Sequence, residues 1–461
     1  MKKYFQLIRS QWIELVLTAG AVLAATVILA APAIYNGFPL VFADTIDYLA
    51  AALKFSPPYY RQFGYGIFIA MTSLKGTSLW LVVLAQSFIL SALIFSVVRR
   101  FIKNKPYFFH VVIVLLLVLF TGVGWFSSQL MPDILTAMMI LIIYIFFTAR
   151  LQWFHYLFLL PLFLIILMSH SANFLIAMLV LVTVAAYFLL RKKKLPDFKT
   201  YAVKFLVLFF VSIFATGLLS YINEKTFGRW AVNPGSHVFL MARLDESGIL
   251  KDFLLQNCRS HQYTLCSFQD QLPTDANNFM WGPNTPHKLY GWEAVRPEYE
   301  EIIGKAFSTP AYWGTFISDS AYRVALLFSH NGLDSFGAYN LDSPEGSSIY
   351  ALIQNYAPQE LSQFMAAQQF TYNLKLPATV STIYFPVVIL SILFIIYFFR
   401  KYKIPNELKF FALIIVLGVV YNLIVMGSLS GSFDRYNSRV IWLLPFLVLI
   451  LMFSKKSKKQ E

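Results

Sequence analysis

Phe42-Ala43-Asp44-Thr45-Ile46-Asp47-Tyr48-Leu49-Ala50-Ala51 stands just past the first long apolar run of the chain, and Tyr59-Tyr60-Arg61-Gln62-Phe63-Gly64-Tyr65 follows shortly after. Asp44, Asp47 and Tyr48 are spaced i, i+3, i+4 and share one face of a helix, while Ile46, Leu49, Ala50 and Leu53 fall largely on another. The stretch reads as an amphipathic helix at a membrane interface, holding acid groups over a lipid-lined cavity. Whether that reading is right depends on what surrounds it.

Around it lies a chain of 461 residues, 58% hydrophobic and 13% charged, with a mean hydropathy of +0.62. No water-soluble core needs that much apolar surface, whereas a set of spans of about 20 residues does. Apolar runs fall at about 12–31, 77–98, 107–123, 130–149, 153–168, 172–190, 204–220, 379–399, 409–427 and 440–454, about ten transmembrane helices in all. The piece at about 64–74 is too short to cross comfortably and reads as a second interfacial or re-entrant helix. The expected fold class is an all-α polytopic membrane protein.

Charge sets the orientation. The net charge of +14 comes from 37 Lys and Arg against 23 Asp and Glu. The cations gather in short clusters between apolar runs, such as Arg99-Arg100, Arg191-Lys192-Lys193-Lys194, Arg400-Lys401 and the terminal lysines from Lys455 to Lys459. That is the signature of cytoplasmic loops, not of a nucleic-acid groove. About 22 of the 37 cations fall on the side so assigned, and about 19 of the 23 acids on the other. Both termini are therefore expected in the cytoplasm, in an integral membrane protein of the bacterial inner-membrane kind. The first run has no small-residue cleavage site close behind it and reads as a retained span.

Three regions follow: an N-terminal membrane module, 1–220, with a first outer loop at 32–76; an extracytoplasmic, mainly α domain, 221–377; and a C-terminal membrane module, 378–461. The middle region is too rich in aromatics for a disordered linker. Cys258 and Cys266 both fall in it, and either a local disulfide or two free thiols fits an outer location.

Asp44 and Asp47 serve as a general base or as ligands of a divalent metal such as Mg or Mn; structurally, the same pair resembles a helix capping box. Asp133, in Met131-Pro132-Asp133, suits the start of a helix and also points a carboxylate toward the outer face. His170 sits in the short turn between two spans, as a ligand, a proton carrier or an interfacial residue. In Gly431-Ser432-Phe433-Asp434-Arg435-Tyr436-Asn437-Ser438-Arg439, Arg435 is placed for a lipid-linked phosphate, which its planar fork can grip, and Arg61 for the same role. Arg439 reads as an anchor of the last span. No phosphate-binding Gly-rich loop, nucleophile elbow, His-Glu-x-x-His or paired Cys-x-x-Cys occurs in the chain, which leaves ATP-driven pumping and common hydrolase chemistry without support.

Asp44 to Ala50, with its tyrosine at 48, resembles the acidic first outer loop of the GT-C superfamily of membrane glycosyltransferases. Tyr60-Arg61-Gln62-Phe63-Gly64-Tyr65 is similar to that superfamily's Arg-x-Pro-x-Tyr-Pro element, with the first proline missing. Met131-Pro132-Asp133 and Asp434-Arg435-Tyr436 resemble further recurring positions. The resemblance covers the membrane module, chiefly 1–220 and 380–454. It implies transfer of a sugar from a polyprenyl-phosphate carrier to a glycan, lipid or protein acceptor at the outer face, amid membrane lipids. Asp44 would act on the acceptor hydroxyl with Asp47 beside it, while Arg61, Tyr65, Asp133, His170, Arg435 and Tyr436 would bind substrate. Metal use differs within the superfamily; Asp44, Asp47 and Asp133 are the ligands available to such an ion.

Two other classes stay open. An oligosaccharide polymerase or ligase would use arginine and histidine, for which His330-Asn331 is available. A lipid-glycan transporter or flippase would put a polar site at mid-membrane between inverted halves. The uneven division of spans around the middle region and their nearly charge-free interiors disfavour transport.

Overall fold

The computed structural model describes residues 2–192, 198–333, 336, 348–371, 373–454 and 457–458, so Lys193, Lys194, Lys455, Lys456 and Lys459 of the basic clusters lie outside the described residues. The described residues are mainly helical. The only strands among the described residues are Tyr402–Lys403 and Ser457–Lys458, an antiparallel pair.

The helices that position the site are, in chain order, α1 (Lys2–Leu29), α2 (Thr45–Lys54), α3 (Gly64–Thr72), α4 (Trp80–Phe101), α5 (Pro106–Phe120), α6 (Asp133–Thr148), α7 (Trp153–Leu167) and α8 (Ser171–Leu190). They continue with α9 (Phe198–Phe227), α10 (Ser236–Glu246), α11 (Trp292–Ser308), α12 (Pro310–Ser329), α13 (Leu376–Lys401), α14 (Asn406–Leu429), α15 (Asp434–Ile441) and α16 (Leu443–Phe453). Among the described residues, seven helical stretches are long and apolar enough to cross a membrane: Trp12–Leu29, α4, α8, α9, α13, α14 and Asp434–Phe453. Helices α5, α6 and α7 are apolar but shorter. This is an all-α integral membrane protein.

Several helix starts follow directly from the sequence. Prolines 106 and 310 occupy the first turns of α5 and α12, where the missing N–H costs no hydrogen bond. Pro132 immediately precedes Asp133, so α6 begins with a carboxylate at its positive end. The last apolar run is broken at Trp442 into α15 and α16. The run expected at about 204–220 extends through α9 from Phe198 to Phe227, so the helix passes the boundary expected at 221.

Distant loops are stitched together at one end of the bundle. Leu40 N–H donates to Ser128 O at 3.0 Å and Leu40 O accepts from Leu130 N–H at 2.8 Å. Thr45 Oγ1 accepts from Phe42 N–H at 2.9 Å and donates to Leu130 O at 3.1 Å, tying the start of α2 to the start of α6. Gln369 holds the same loop from the other side through both polar groups of Val41, at 3.1 and 2.9 Å. Gly64 N–H donates to Met168 O at 2.8 Å, and a Cβ at Gly64 would lie 2.5 Å from the carbonyls around Ile165 and Met168. Only glycine lets α3 approach the α7–α8 turn so closely, and that approach brings His170 to the site.

The middle region has its own apolar core, built on residues such as Val238, Phe253, Phe279, Tyr299 and Ile302. Cys258 and Cys266 are joined as a disulfide on its edge, which resolves the two alternatives left by the sequence. Buried Arg243 ties this core to the membrane helices: it pairs with Glu246 at 2.5 Å and Asp319 at 2.9 Å, and donates to Ser428 O at 3.1 Å.

Candidate active site at the loop ends of the helices

Asp44 immediately precedes α2, but its side chain does not cap the helix. Both carboxylate oxygens face arginines instead. Arg61 Nη2 donates to Oδ1 at 2.5 Å and Arg435 Nη2 donates to Oδ2 at 2.9 Å. The carboxylate is 13% exposed. Burial pushes its pKa up, but the charges and hydrogen bonds of Arg61 and Arg435 outweigh burial and hold it well below the usual carboxylate range. The structural alternative of a capping box therefore does not account for Asp44.

Asp47, one turn further on, is more open, with Arg61 Nε at 4.0 Å. Burial raises its pKa, Arg61 opposes that, and the charge of Asp44 adds to it. The two acids thus differ in basicity because Asp44 is hydrogen-bonded by two arginines while Asp47 has only Arg61, at 4.0 Å.

The arginines are themselves held by aromatic rings. The Arg435 guanidinium lies 4.5 Å from the Phe42 ring centroid and 5.0 Å from that of Tyr436. Arg61 lies 5.7 Å from Trp281 and 5.9 Å from Phe239, two residues of the middle region. Arg435 Nη1 and Arg61 Nε are buried without a hydrogen-bond partner among the described residues. Each arginine therefore has one donor that no described protein group uses.

Two cavities meet at this cluster. The larger, about 640 Å³, is walled by Phe42, Asp47, Tyr60, Phe239, Trp281 and Phe433. The smaller, about 280 Å³, is walled by Tyr48, Asp133, His170, Leu175, Met426 and Leu429. Asp44, Arg61, Arg435 and Tyr436 line both.

Asp133 is buried and accepts from Arg439 Nη1 at 3.1 Å. Arg439 is wholly buried in α15, its other amino group 3.3 Å from Asn422 Oδ1. The expectation that Arg439 anchors the last span at the interface is corrected: it is an interior half of an ion pair. The available signal was an arginine abutting the last apolar run. His170 precedes α8, and its Nδ1 accepts from Ala172 N–H at 3.2 Å. Burial and the charges of Arg439, Arg435 and Arg61 hold its pKa well below the ordinary value, so the ring is neutral with its proton on Nε2.

Tyr65, expected to touch substrate, lies beneath the site and lines neither cavity. It is fully buried, and its hydroxyl donates to Gln86 Oε1 at 3.0 Å. Its ring packs edge-on against Tyr48, 5.3 Å away. Nothing local in the sequence marks Phe239 and Trp281 as walls of the site, because the loops they serve lie far away in the chain. His330 stands apart from the carboxylate cluster, with Nδ1 3.0 Å from Ser432 O.

The metal considered from the sequence does not fit these residues. Both oxygens of Asp44 and one of Asp133 face guanidinium groups, and no three His, Cys, Asp or Glu side chains gather as a ligand set among the described residues. No family model matches the chain, and no curated protein and no solved structure matches it.

Proposed function

We propose that the protein is a GT-C-like membrane glycosyltransferase that moves a sugar from a polyprenyl-phosphate carrier to a glycan, lipid or protein acceptor at the extracytoplasmic face. In this reading α5, α6 and α7 also cross, giving ten spans, with both termini cytoplasmic and the middle region largely outside. One observation carries the reading. Two arginines with unused buried donors share a single carboxylate on the wall common to two cavities.

Asp44 gripped by two guanidinium groups is a weak base. The donor's phosphodiester brings a second anion to the site, with two non-bridging oxygens for the unused donors of Arg435 and Arg61, and it draws both guanidinium groups toward itself. Asp44 then recovers its basicity as the donor arrives. It takes the proton of the acceptor hydroxyl while that oxygen attacks the anomeric carbon of the sugar. The bond from anomeric carbon to phosphate oxygen breaks, and polyprenyl phosphate leaves with the electron pair, its growing charge held by the arginines. Asp47, the more basic acid at rest, orients the acceptor in the larger cavity. Neutral His170, with Nε2–H as a donor, assists from the smaller one.

The ionisable groups of the site gather at helix ends: Asp44 before α2, Asp133 opening α6, His170 before α8 and Arg435 opening α15. That favours transfer over transport, which calls for a midplane polar site.

The test compares wild type and Asp44→Asn reconstituted in phospholipid vesicles with a panel of labelled polyprenyl-phosphate sugars and cell-envelope acceptors. Label should move in the wild type and fall by about 10²–10⁴-fold in the variant, with insertion retained. Full turnover by Asp44→Asn would remove Asp44 from the chemistry. Failure of polyprenyl phosphate itself to bind the wild type would remove the donor class.

A further inference from the structure

Helix α12 is built inside out for a helix in water. Its two charged residues, Asp319 and Arg323, are turned inward: Asp319 Oδ2 accepts from Arg243 Nη2 at 2.9 Å and Arg323 Nη1 lies 2.7 Å from Glu246 Oε1. Every exposed position of α12 is uncharged, with Trp313 46%, Ile317 62% and Tyr322 64% exposed. The preceding helix, α11, supplies the contrast within one chain. Its exposed face carries Glu293, Glu300 and Glu301, with side chains 50%, 53% and 50% exposed. A solvated helix keeps most of its charges outward and its apolar residues inward, as α11 does apart from Arg296, which is buried against Glu293 and Glu300. The two helices are separated only by Thr309, so the change of environment falls there.

The neighbours of α12 point the same way. It packs along α14, and a Cβ on Gly427 of that helix would come within 2.9 Å of the Val324 side chain, the close approach typical of helices packed in lipid. Phe328, in its last turn, meets Phe385 of α13. Both α13 and α14 are long and apolar enough to cross a membrane, and both expose apolar side chains, among them Leu390, Leu393 and Ile424. Helix α12, packed along α14, leaves its own uncharged face exposed. Leu327 O accepts from Asn437 Nδ2, while Asn422 of α14 donates to the adjoining Tyr436 O. The last turn of α12 therefore sits near the level of Asn422, about two helical turns or roughly 10 Å inside the outer end of α14.

We propose that α12 is embedded in the outer leaflet, its Trp313–Ile317–Tyr322 face covered by phospholipid acyl chains, and that the middle region is not a single aqueous domain. The helix is not apolar enough to cross by itself. It enters from the water side at Pro310, with Trp313 at the headgroup level, and descends along α14. Its last turns hold the Arg435 loop, through the Asn437 hydrogen bond and His330 beside Ser432. Bilayer packing thereby bears directly on the segment that carries Arg435.

The chain has no free cysteine among the described residues, so single added cysteines report cleanly. Ile317→Cys, Tyr322→Cys and Ala325→Cys, with Glu300→Cys on α11 as the aqueous reference, are spin-labelled in the full-length protein. The labelled proteins are reconstituted in phosphatidylethanolamine–phosphatidylglycerol vesicles. Collision with dissolved oxygen and with a polar nickel chelate is then measured. The expected result is normal or raised oxygen collision at all three α12 positions, with nickel collision at least about tenfold below that at Glu300→Cys, because a polar complex is excluded from hydrocarbon. Nickel access equal to that at Glu300→Cys overturns the proposal by putting α12 in water. Low access to both reagents also overturns it, since the face would then be covered by protein. The outcome is independent of whether the chain transfers sugars.

Discussion

Arg435 Nη2 lies 2.9 Å from Asp44 Oδ2, across 391 residues of sequence. The contact joins the loop after the first long helix to the turn that opens the last. With Arg61 on the other oxygen, it turns one acid and two bases into a single unit whose balance changes when an anion arrives.

Replacing Arg435 tests the anion grip. Arg435→Ala removes charge-assisted hydrogen bonds worth about 1.5–3 kcal/mol, so kcat/KM for a lipid-phosphate sugar should fall by roughly 10–150-fold. Arg435→Lys should recover only part of this, because a point charge cannot serve Asp44 and a phosphate with the same fork. The loss should appear mainly in the KM for the donor. An unchanged donor KM in both variants would take the phosphate away from Arg435.

The buried Arg439–Asp133 pair separates architecture from chemistry. Arg439→Ala leaves a buried carboxylate without its partner and should cost about 3–5 kcal/mol, read as a lowered unfolding midpoint in detergent. Asp133→Leu with Arg439→Met should restore most of that midpoint, since both charges leave together. Transfer should stay low in the double variant because Asp133 lines the smaller cavity. Restored stability with restored activity would make the pair purely structural.

Asp245, in the middle region, carries a pH signature. Burial, with Asp275 and Glu246 nearby, pushes its pKa up to about 8, and its Oδ2 is buried without a hydrogen-bond partner. A raised acid pKa favours the protonated form in the folded state. Its contribution to stability is therefore greatest below about pH 4 and is lost as pH rises toward 8. Asp245→Asn should raise the unfolding midpoint at pH 8 and flatten its fall between pH 4 and 8. A wild-type midpoint with no such slope from this residue, the variant tracking it in parallel, would contradict the assignment.

The Cys258–Cys266 disulfide closes a short loop with a sequence separation of 8. On the chain-entropy estimate it stabilises the outer core by about 2–3 kcal/mol. Removing it with paired serines should lower the unfolding midpoint of that region. Transfer at 25 °C should be unaffected, because neither cysteine lines a cavity at the Asp44 cluster. Equal loss of activity and stability would tie the disulfide to the site.

Much of this was legible in the chain. Long apolar runs impose helices because a backbone in hydrocarbon must satisfy its own hydrogen bonds, and that requirement acts locally. Each expected run accordingly coincides with an apolar helix, and Asp133 and His170 stand at helix starts, where proline and turn chemistry put them. Asp44, Arg61 and Arg435 were also visible, as charges stranded beside apolar sequence. What local reading could not give is pairing. Asp44 meets Arg61 and Arg435, Asp133 meets Arg439, Tyr65 sinks away from the cavities, and Phe239 and Trp281 arrive from the middle region to wall them. Helix α12 was hidden for the same reason: its composition is unremarkable until the inward direction of Asp319 and Arg323 is known. Hydrophobicity is a property of each residue and is read one position at a time. Which charges neutralise one another, and which faces stay bare, depends on distances between segments that only the packed chain sets.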